Sequence, residues 1–333
     1  MTITNRDETT LETFFSSALY VFSIVLVGIL IRAFTHNVKP LKFLKPLANK
    51  AFSILNTLVI WVMLPTVVFV SISRYSLSEI AIMGNAFVMA FFGMGVCFVA
   101  SVAVSRISGD DRKTMVAIAL NSAFQNVTFL GLPVIYALFD VRGLNGLGPA
   151  ALYAVGISVP HLILGVMLAA TAAKKRINAG SVIETVITFP AAFALIVALL
   201  FVAFSAPLPS VARGFFDAYL AKPFFALMLL LVGYQMPIVK PRKYLRDITM
   251  VSLMRFIIGP LVTYGLIVAL GLSFKTDITP GPSMVQAIMP PGFFNLILAW
   301  NYKLDLKMYS AIVFYTTLLS LFIVLPITFT FIF

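Results

Sequence analysis

Carboxylates are the scarcest functional groups in this chain. Its 333 residues hold 12 Asp and Glu together, and those lie in the connections between apolar runs or at the edges of the runs, as Glu184 does. A carboxylate buried in a membrane span is the usual proton carrier or sodium ligand of pumps and symporters, so its absence argues against tightly bound sodium and against an acidic proton relay. Charged residues of both signs make up 11% of the chain and apolar ones 61%. A soluble globular domain is about a quarter charged and under half apolar. This chain cannot cover itself with polar surface, which excludes a soluble enzyme. The single cysteine, Cys97, excludes an intrachain disulfide. There is no His-Glu-x-x-His, no pair of intramembrane aspartates, no Gly-x-Ser-x-Gly and no phosphate-binding loop. No metal, cofactor or direct ATP drive is therefore expected. The N-terminal flank carries Asp7, Glu8 and Glu12 where a secretory signal would be basic, so it does not read as one.

What is present is a succession of apolar runs, each about 20 residues or longer, enough to cross a hydrocarbon core about 30 Å thick. Ten spans are predicted, at about 14–34, 51–73, 79–105, 114–138, 149–173, 182–205, 219–239, 248–272, 280–300 and 307–333. They read as helices, because lipid cannot satisfy free backbone groups, and because the runs lack the alternation of barrel strands. The expected fold class is an all-α polytopic membrane protein.

The net charge of +12 would suggest nucleic acid in a soluble protein. Here the basic residues sit in short connections. Alternate connections hold Arg32, Lys39, Lys42, Lys45 and Lys50; Arg106, Arg112 and Lys113; Lys174, Lys175 and Arg176; Lys240, Arg242, Lys243 and Arg246; and Lys303 and Lys307, which is 17 of the 24 Lys and Arg. Positive charge favours the cytoplasmic side. The partner is thus the lipid bilayer of the cell membrane, not nucleic acid, and both termini are expected to be extracytoplasmic. The divisions are a tail over 1–13, a first five-span repeat over 14–173, a cytoplasmic seam over 174–181 and a second repeat over 182–333. Five spans per half make the halves enter the membrane in opposite senses, the topology of an inverted repeat.

Two spans are interrupted. The fourth reads Asn121-Ser-Ala-Phe-Gln125-Asn126-Val-Thr128-Phe-Leu-Gly131-Leu-Pro133, and the ninth Gln286-Ala-Ile-Met-Pro290-Pro291-Gly292-Phe-Phe-Asn295. Proline removes a backbone donor and clashes with the preceding turn, and glycine loosens the chain beside it. Ordinary kinks are the alternative, since Pro and Gly are common in membrane helices. These breaks, however, fall in the fourth span of each half, each beside Asn and Gln. That is the pattern of half-helices that present their partial charges to a crossover site. Three further polar residues stand out. His161, after Pro160, is a candidate for coupling or a neutral histidine bonded to a backbone carbonyl. Arg255 either snorkels to the interface or draws an anion into an inward vestibule. Gln235 ends the seventh span beside Tyr234 and is a candidate for gating.

At the two breaks the sequence resembles the auxin efflux carrier family, which includes the plant PIN-FORMED carriers and bacterial malonate and malate permeases. The resemblance is carried by Asn126–Phe139 (NVTFLGLPVIYALF), Arg255–Leu272 (RFIIGPLVTYGLIVALGL), the MPPG run from Met284 ending NYKLD at Asp305, and Leu325-Pro326-Ile327-Thr328. It implies broken crossover helices 4 and 9, a scaffold of helices 1, 2, 6 and 7 that forms a homodimer, and a transport domain of helices 3–5 and 8–10 that moves as an elevator. It also implies that Asn126 contacts a substrate carboxylate, that Pro290, Pro291 and Asn295 form the opposing break, and that Leu64 and Pro65 face the pocket from the scaffold. Gln125, Asn121, Pro133, Gly292 and His161 complete the candidate site. Asn295 stands where the plant carriers have proline. The function expected is secondary active transport of a small organic anion such as a mono- or dicarboxylate. An anion channel is the first rival, and an intramembrane enzyme using His161 the second.

Overall fold

The computed structural model describes residues 4–174, 180, 189–206, 208–236 and 239–332, and among these every regular element is helical. In chain order the helices are α1 (Thr4–Asn37), α2 (Lys45–Ile72), α3 (Leu77–Ile107), α4 (Arg112–Ala123), α5 (127–138), α6 (Leu147–Ala172), α7 (Pro190–Ala203), α8 (Ser210–Gln235), α9 (Arg242–Ala269), α10 (Pro280–Ala287), α11 (Phe294–Asn301) and α12 (Leu306–Thr330). Seven of them, α1, α2, α3, α6, α8, α9 and α12, are long and apolar enough to cross a bilayer. The chain is a multi-pass membrane protein.

The shorter helices fall where the sequence predicts interrupted spans. The fourth predicted span is α4 and α5, separated at Phe124–Asn126, and the ninth is α10 and α11, separated at 288–293. The seam over 174–181 and the start of the sixth span, with Glu184, lie largely outside the described residues. Several helices begin earlier than expected, α2 at Lys45 and α9 at Arg242 among them. Helix α1 begins at Thr4, inside the predicted tail, and α8 begins at Ser210, so that Arg213 and Asp217 belong to the helix.

Prolines shape the long helices in one recurrent way. In α2, α5, α9 and α12 the residue before the proline donates to a carbonyl five residues back: Leu64 to Val59, Leu132 to Val127, Gly259 to Met254 and Leu325 to Ser320. A proline cannot donate to residue i−4, and its ring would strike that carbonyl. One widened π-turn ahead of Pro65, Pro133, Pro260 and Pro326 makes room for the ring without ending the helix.

Polar side chains fix several helix starts. Ser76 and Glu79 form a reciprocal capping box on α3. Asp111 accepts from Lys113 and Thr114 at the start of α4, and Asp305 from Lys307 and Met308 at the start of α12.

Packing divides the helices. One apolar core is built mainly from α3, α4, α6, α9, α11 and α12, with Val127 of α5 and the adjoining residues, and is centred on Met89, Ile118, Tyr153, Val251 and Tyr309. A second joins α1, α2, α7 and α8 to α5, the start of α6, Val285 of α10 with the break that follows it, and α12 from Val313 onward. Helix α1 packs along α8, and α2 along α7. The α1–α8 approach is close enough that Gly28 and Gly233 face each other's backbone: a Cβ on Gly233 would collide with the Val25 carbonyl, and one on Gly28 with the Leu230 carbonyl.

Candidate functional site: the crossing of two broken helices

The two breaks meet. Main-chain Asn126 donates to the Pro290 carbonyl at 2.7 Å and main-chain Gly292 donates to the Phe124 carbonyl at 2.9 Å, which pairs Gln125 with Pro291 as a single antiparallel bridge. Each interrupted segment thus satisfies the other's backbone, as it must where water is excluded. Side chains take further carbonyls around the breaks. Arg255 donates to Ser122 at 2.9 Å near the end of α4 and to Ala287 at 2.5 Å at the end of α10. Ser320 donates to Ile288 at 2.8 Å, and the Gln286 amide donates to Val127 at 3.2 Å and to Ala150 at 3.3 Å.

The four half-helices therefore present unlike ends in different directions. The carboxyl ends of α4 and α10, each with a partial negative charge, converge on the Arg255 guanidinium. The amino ends of α5 and α11 adjoin a cavity of about 270 Å³. Its crossover wall is formed by Gln125, Asn126, Thr128, Gly292 and Phe294, with Ser158 and His161 from α6. The opposite wall comes from Asn56, Ile60 and Leu64 of α2 and Gln235 of α8. Among the described residues no Lys, Arg, Asp or Glu lines it.

Asn126 is 3% exposed and lies on this cavity, and its amide nitrogen has no partner among the described residues. A buried amide donor left unpaired costs about 1–3 kcal/mol, so this group is suited to a ligand acceptor. Gln125 is already engaged: its carbonyl oxygen accepts from Arg255 at 3.1 Å and its amide donates to the Tyr153 hydroxyl at 3.1 Å. Leu64 lines the cavity; Pro65, Pro133, Pro290 and Pro291 do not, and act through the backbone. Gly292 brings its main chain against the His161 ring.

Asn295 and Asn121 stand behind the cavity. Both are fully buried and neither lines it. Asn295 donates to the Leu120 carbonyl and to the Asn121 side-chain oxygen, both at 3.2 Å, and Asn121 donates to the Ala117 carbonyl at 2.8 Å. With the Asn295 amide nitrogen committed to these acceptors, its oxygen accepts from His161 Nε2–H at 2.8 Å. His161 is thus held by a side chain, where the second of its two sequence readings has a backbone carbonyl. Its ring also stacks on Phe124 at 4.3 Å and meets Phe294 edge-on at 5.0 Å. Arg255 takes neither of its two expected positions: it is 1% exposed, reaches neither interface nor cavity, and braces the breaks from behind. Gln235 donates to the Asn56 side-chain oxygen at 3.1 Å, an amide pair spanning α8 and α2 in the wall of the cavity.

Asn56, Thr128, Ser158 and Gln286 are not among the candidate site residues of the sequence, although Gln286 is the glutamine beside the ninth-span break. Gln286 had a signal. It falls one turn ahead of the double proline, and Gly131 on the opposing break leaves the space its amide occupies, since a Cβ there would strike the Gln286 oxygen. Asn56 gives no signal, because one asparagine near the end of an apolar span reads as an interfacial residue.

The comparisons with known proteins agree with this architecture. The family model described as membrane transport protein matches residues 14–180 and again 176–328, one match on each half of the chain. An uncharacterized transporter of Methanothermobacter thermautotrophicus is 27% identical over 287 residues, covering 84% of this chain and 89% of its own length. An uncharacterized transporter of Methanocaldococcus jannaschii is 24% identical over 308 residues, covering 90% and 94%. With both halves matched and the crossed, broken helices in place, the chain belongs to the membrane transport protein family, that of the auxin efflux carriers.

Proposed function

We propose that the protein is a secondary active carrier of a small organic anion, bound between the crossing breaks and the α2–α8 wall. The observation that carries this reading is the unpaired Asn126 amide beside the amino ends of α5 and α11, on a cavity that no carboxylate lines among the described residues. A carboxylate leaving water needs replacement donors. Amides and helix amino ends supply them without a fixed charge in contact with the ligand, and neutral donors also permit release.

The wider architecture follows from the same reading. Ten spans form two inverted repeats, and the packing supports this. Exchanging the first five spans with the last five converts the α1–α8 pair into the α7–α2 pair. Helices α2 and α8, which correspond under that exchange, both carry a widened turn shortly before a proline, Pro65 and Pro223. The core built mainly from α3, α4, α6, α9, α11 and α12 is suited to move as one body against α1, α2, α7 and α8, carrying the crossover past the Asn56–Gln235 wall in an elevator. The exposed apolar face of α2, with Leu47, Ile54, Leu58 and Trp61, is available to lipid or to a second scaffold in a homodimer. The positive-inside pattern puts both termini on the extracytoplasmic side of the cell membrane.

The test is uptake into proteoliposomes across a panel of mono- and dicarboxylates under varied ion gradients. A carrier gives saturable uptake and counterflow from preloaded vesicles. Flux that rises linearly with concentration and shows no counterflow would support the channel instead.

A further inference from the structure

Among the described residues Arg255 is the one Lys, Arg, Asp or Glu buried to 1% exposure. Its guanidinium donates to the carbonyls of Ser122 and Ala287 and to the Gln125 side-chain oxygen, and its Nε has no partner. A guanidinium stays protonated in proteins, so this is a permanent positive charge. No carboxylate pairs with it: the two ion pairs among the described residues, Arg74–Asp217 and Arg246–Asp110, lie elsewhere. Carbonyls and helix carboxyl ends solvate the charge but leave the net value at one. A buried charge without a counter-charge is costly. Among the described residues the adjoining cavity, separated from the guanidinium by the Gln125 side chain, is lined by no charged residue, and the one titratable group lining it, His161, spends Nε2–H on Asn295.

We propose that Arg255 is the fixed counter-charge of the binding site and limits the substrate to a monoanion. One negative charge in the cavity makes the occupied crossover electrically neutral. A dianion would bury a net negative charge, and an empty site keeps a net positive one. This inference rests on the anion-carrier reading above. Arg255 acts here through Gln125 and through space, as a positioning and charge-selecting residue that does not touch the ligand.

The experiment titrates the purified full-length protein in nanodiscs with matched pairs: isobutyrate against methylmalonate, butyrate against succinate, and benzoate against phthalate. Calorimetry is run at about pH 8, where every carboxyl is ionised. The expected result is binding of a monoanion about ten-fold or more tighter than its dianion partner. Arg255→Gln removes that preference, and Arg255→Lys, which keeps the charge, retains it. If Arg255→Gln does not fold, Gln125→Glu decides, since it supplies a carboxylate against the guanidinium from within. That variant is expected to weaken monoanion binding by about ten-fold or more while the protein remains monodisperse. Dianions that bind as tightly as their partners overturn the proposal and leave the anion carrier standing. So does a preference unchanged in Arg255→Gln or, where that variant does not fold, monoanion affinity unchanged in Gln125→Glu. Binding of neither class overturns the anion reading and the proposal together.

Discussion

Main-chain Asn126 and the Pro290 carbonyl lie 2.7 Å apart, so the residue that offers its side chain to the cavity is tied by its own backbone to the opposing break. The two interruptions are one structural unit, and a fault on either side is felt on the other. Gly131 makes this testable. Its bare Cα admits the Gln286 side chain, which bonds Val127 and Ala150. Gly131→Ala is expected to displace Gln286 and lower thermal stability by about 1–3 kcal/mol. Gly84→Ala, where a Cβ meets open space, is expected to be neutral or stabilising by up to about 1 kcal/mol. Thermal unfolding of both variants in one detergent checks the contrast, and equal melting temperatures would contradict it.

Close approach of α1 and α8 depends on Gly28 and Gly233. Small residues let membrane helices pack backbone to backbone. Gly233→Val is expected to separate the pair, costing about 1–3 kcal/mol or more, and to lower the melting temperature without changing ligand affinity in the protein that remains folded. A variant as stable as the parent would mean that the crossing is looser than described.

Much of this was legible in the sequence. Apolar runs long enough to span, the break at Pro290–Gly292 and the neighbouring amides each have a local signature, because proline and glycine act within one turn; the fourth span instead breaks at Phe124–Asn126, well ahead of Gly131 and Pro133, which lie inside α5. What was not legible is long-range. The sequence puts Asn295 in the opposing break, yet its amide faces Asn121 and Leu120, because the direction of a side chain after a helix break depends on the helix behind it. Arg255 looks like a residue that snorkels, and only the convergence of α4 and α10 gives it carbonyls to bind. Asn56 and Gln235 meet across two helices with no pattern linking them in the chain.

Asp140, in the connection after α5, accepts from main-chain Leu147 at 3.0 Å, and burial pushes its pKa up to about 7, although Arg74 opposes the shift. Its folded-state pKa lies above the ordinary carboxylate value of about 3.9. The folded state therefore holds a proton that the unfolded chain releases. That contribution is complete below about pH 4 and is lost as pH rises through about 7. The melting temperature is expected to fall across that interval, and Asp140→Asn, which keeps an acceptor for Leu147, is expected to flatten the fall. A slope identical in the variant would assign the effect to another group.

Because no carboxylate lines the cavity among the described residues, substrate binding should not depend on sodium. Affinities with sodium and with choline as the only monovalent cation are expected to agree within about ten-fold, or 1.4 kcal/mol. A larger enhancement by sodium would require an acidic site not accounted for.

The central claim is that the unpaired Asn126 amide holds the substrate anion. A hydrogen bond to a charged group contributes about 1.5–3 kcal/mol, so Asn126→Ala is expected to weaken anion binding by about 10- to 150-fold with little change in melting temperature. Both quantities should be measured on the same purified variant. Reduced affinity with preserved stability is the predicted result; preserved affinity with reduced stability would show that Asn126 only secures the break.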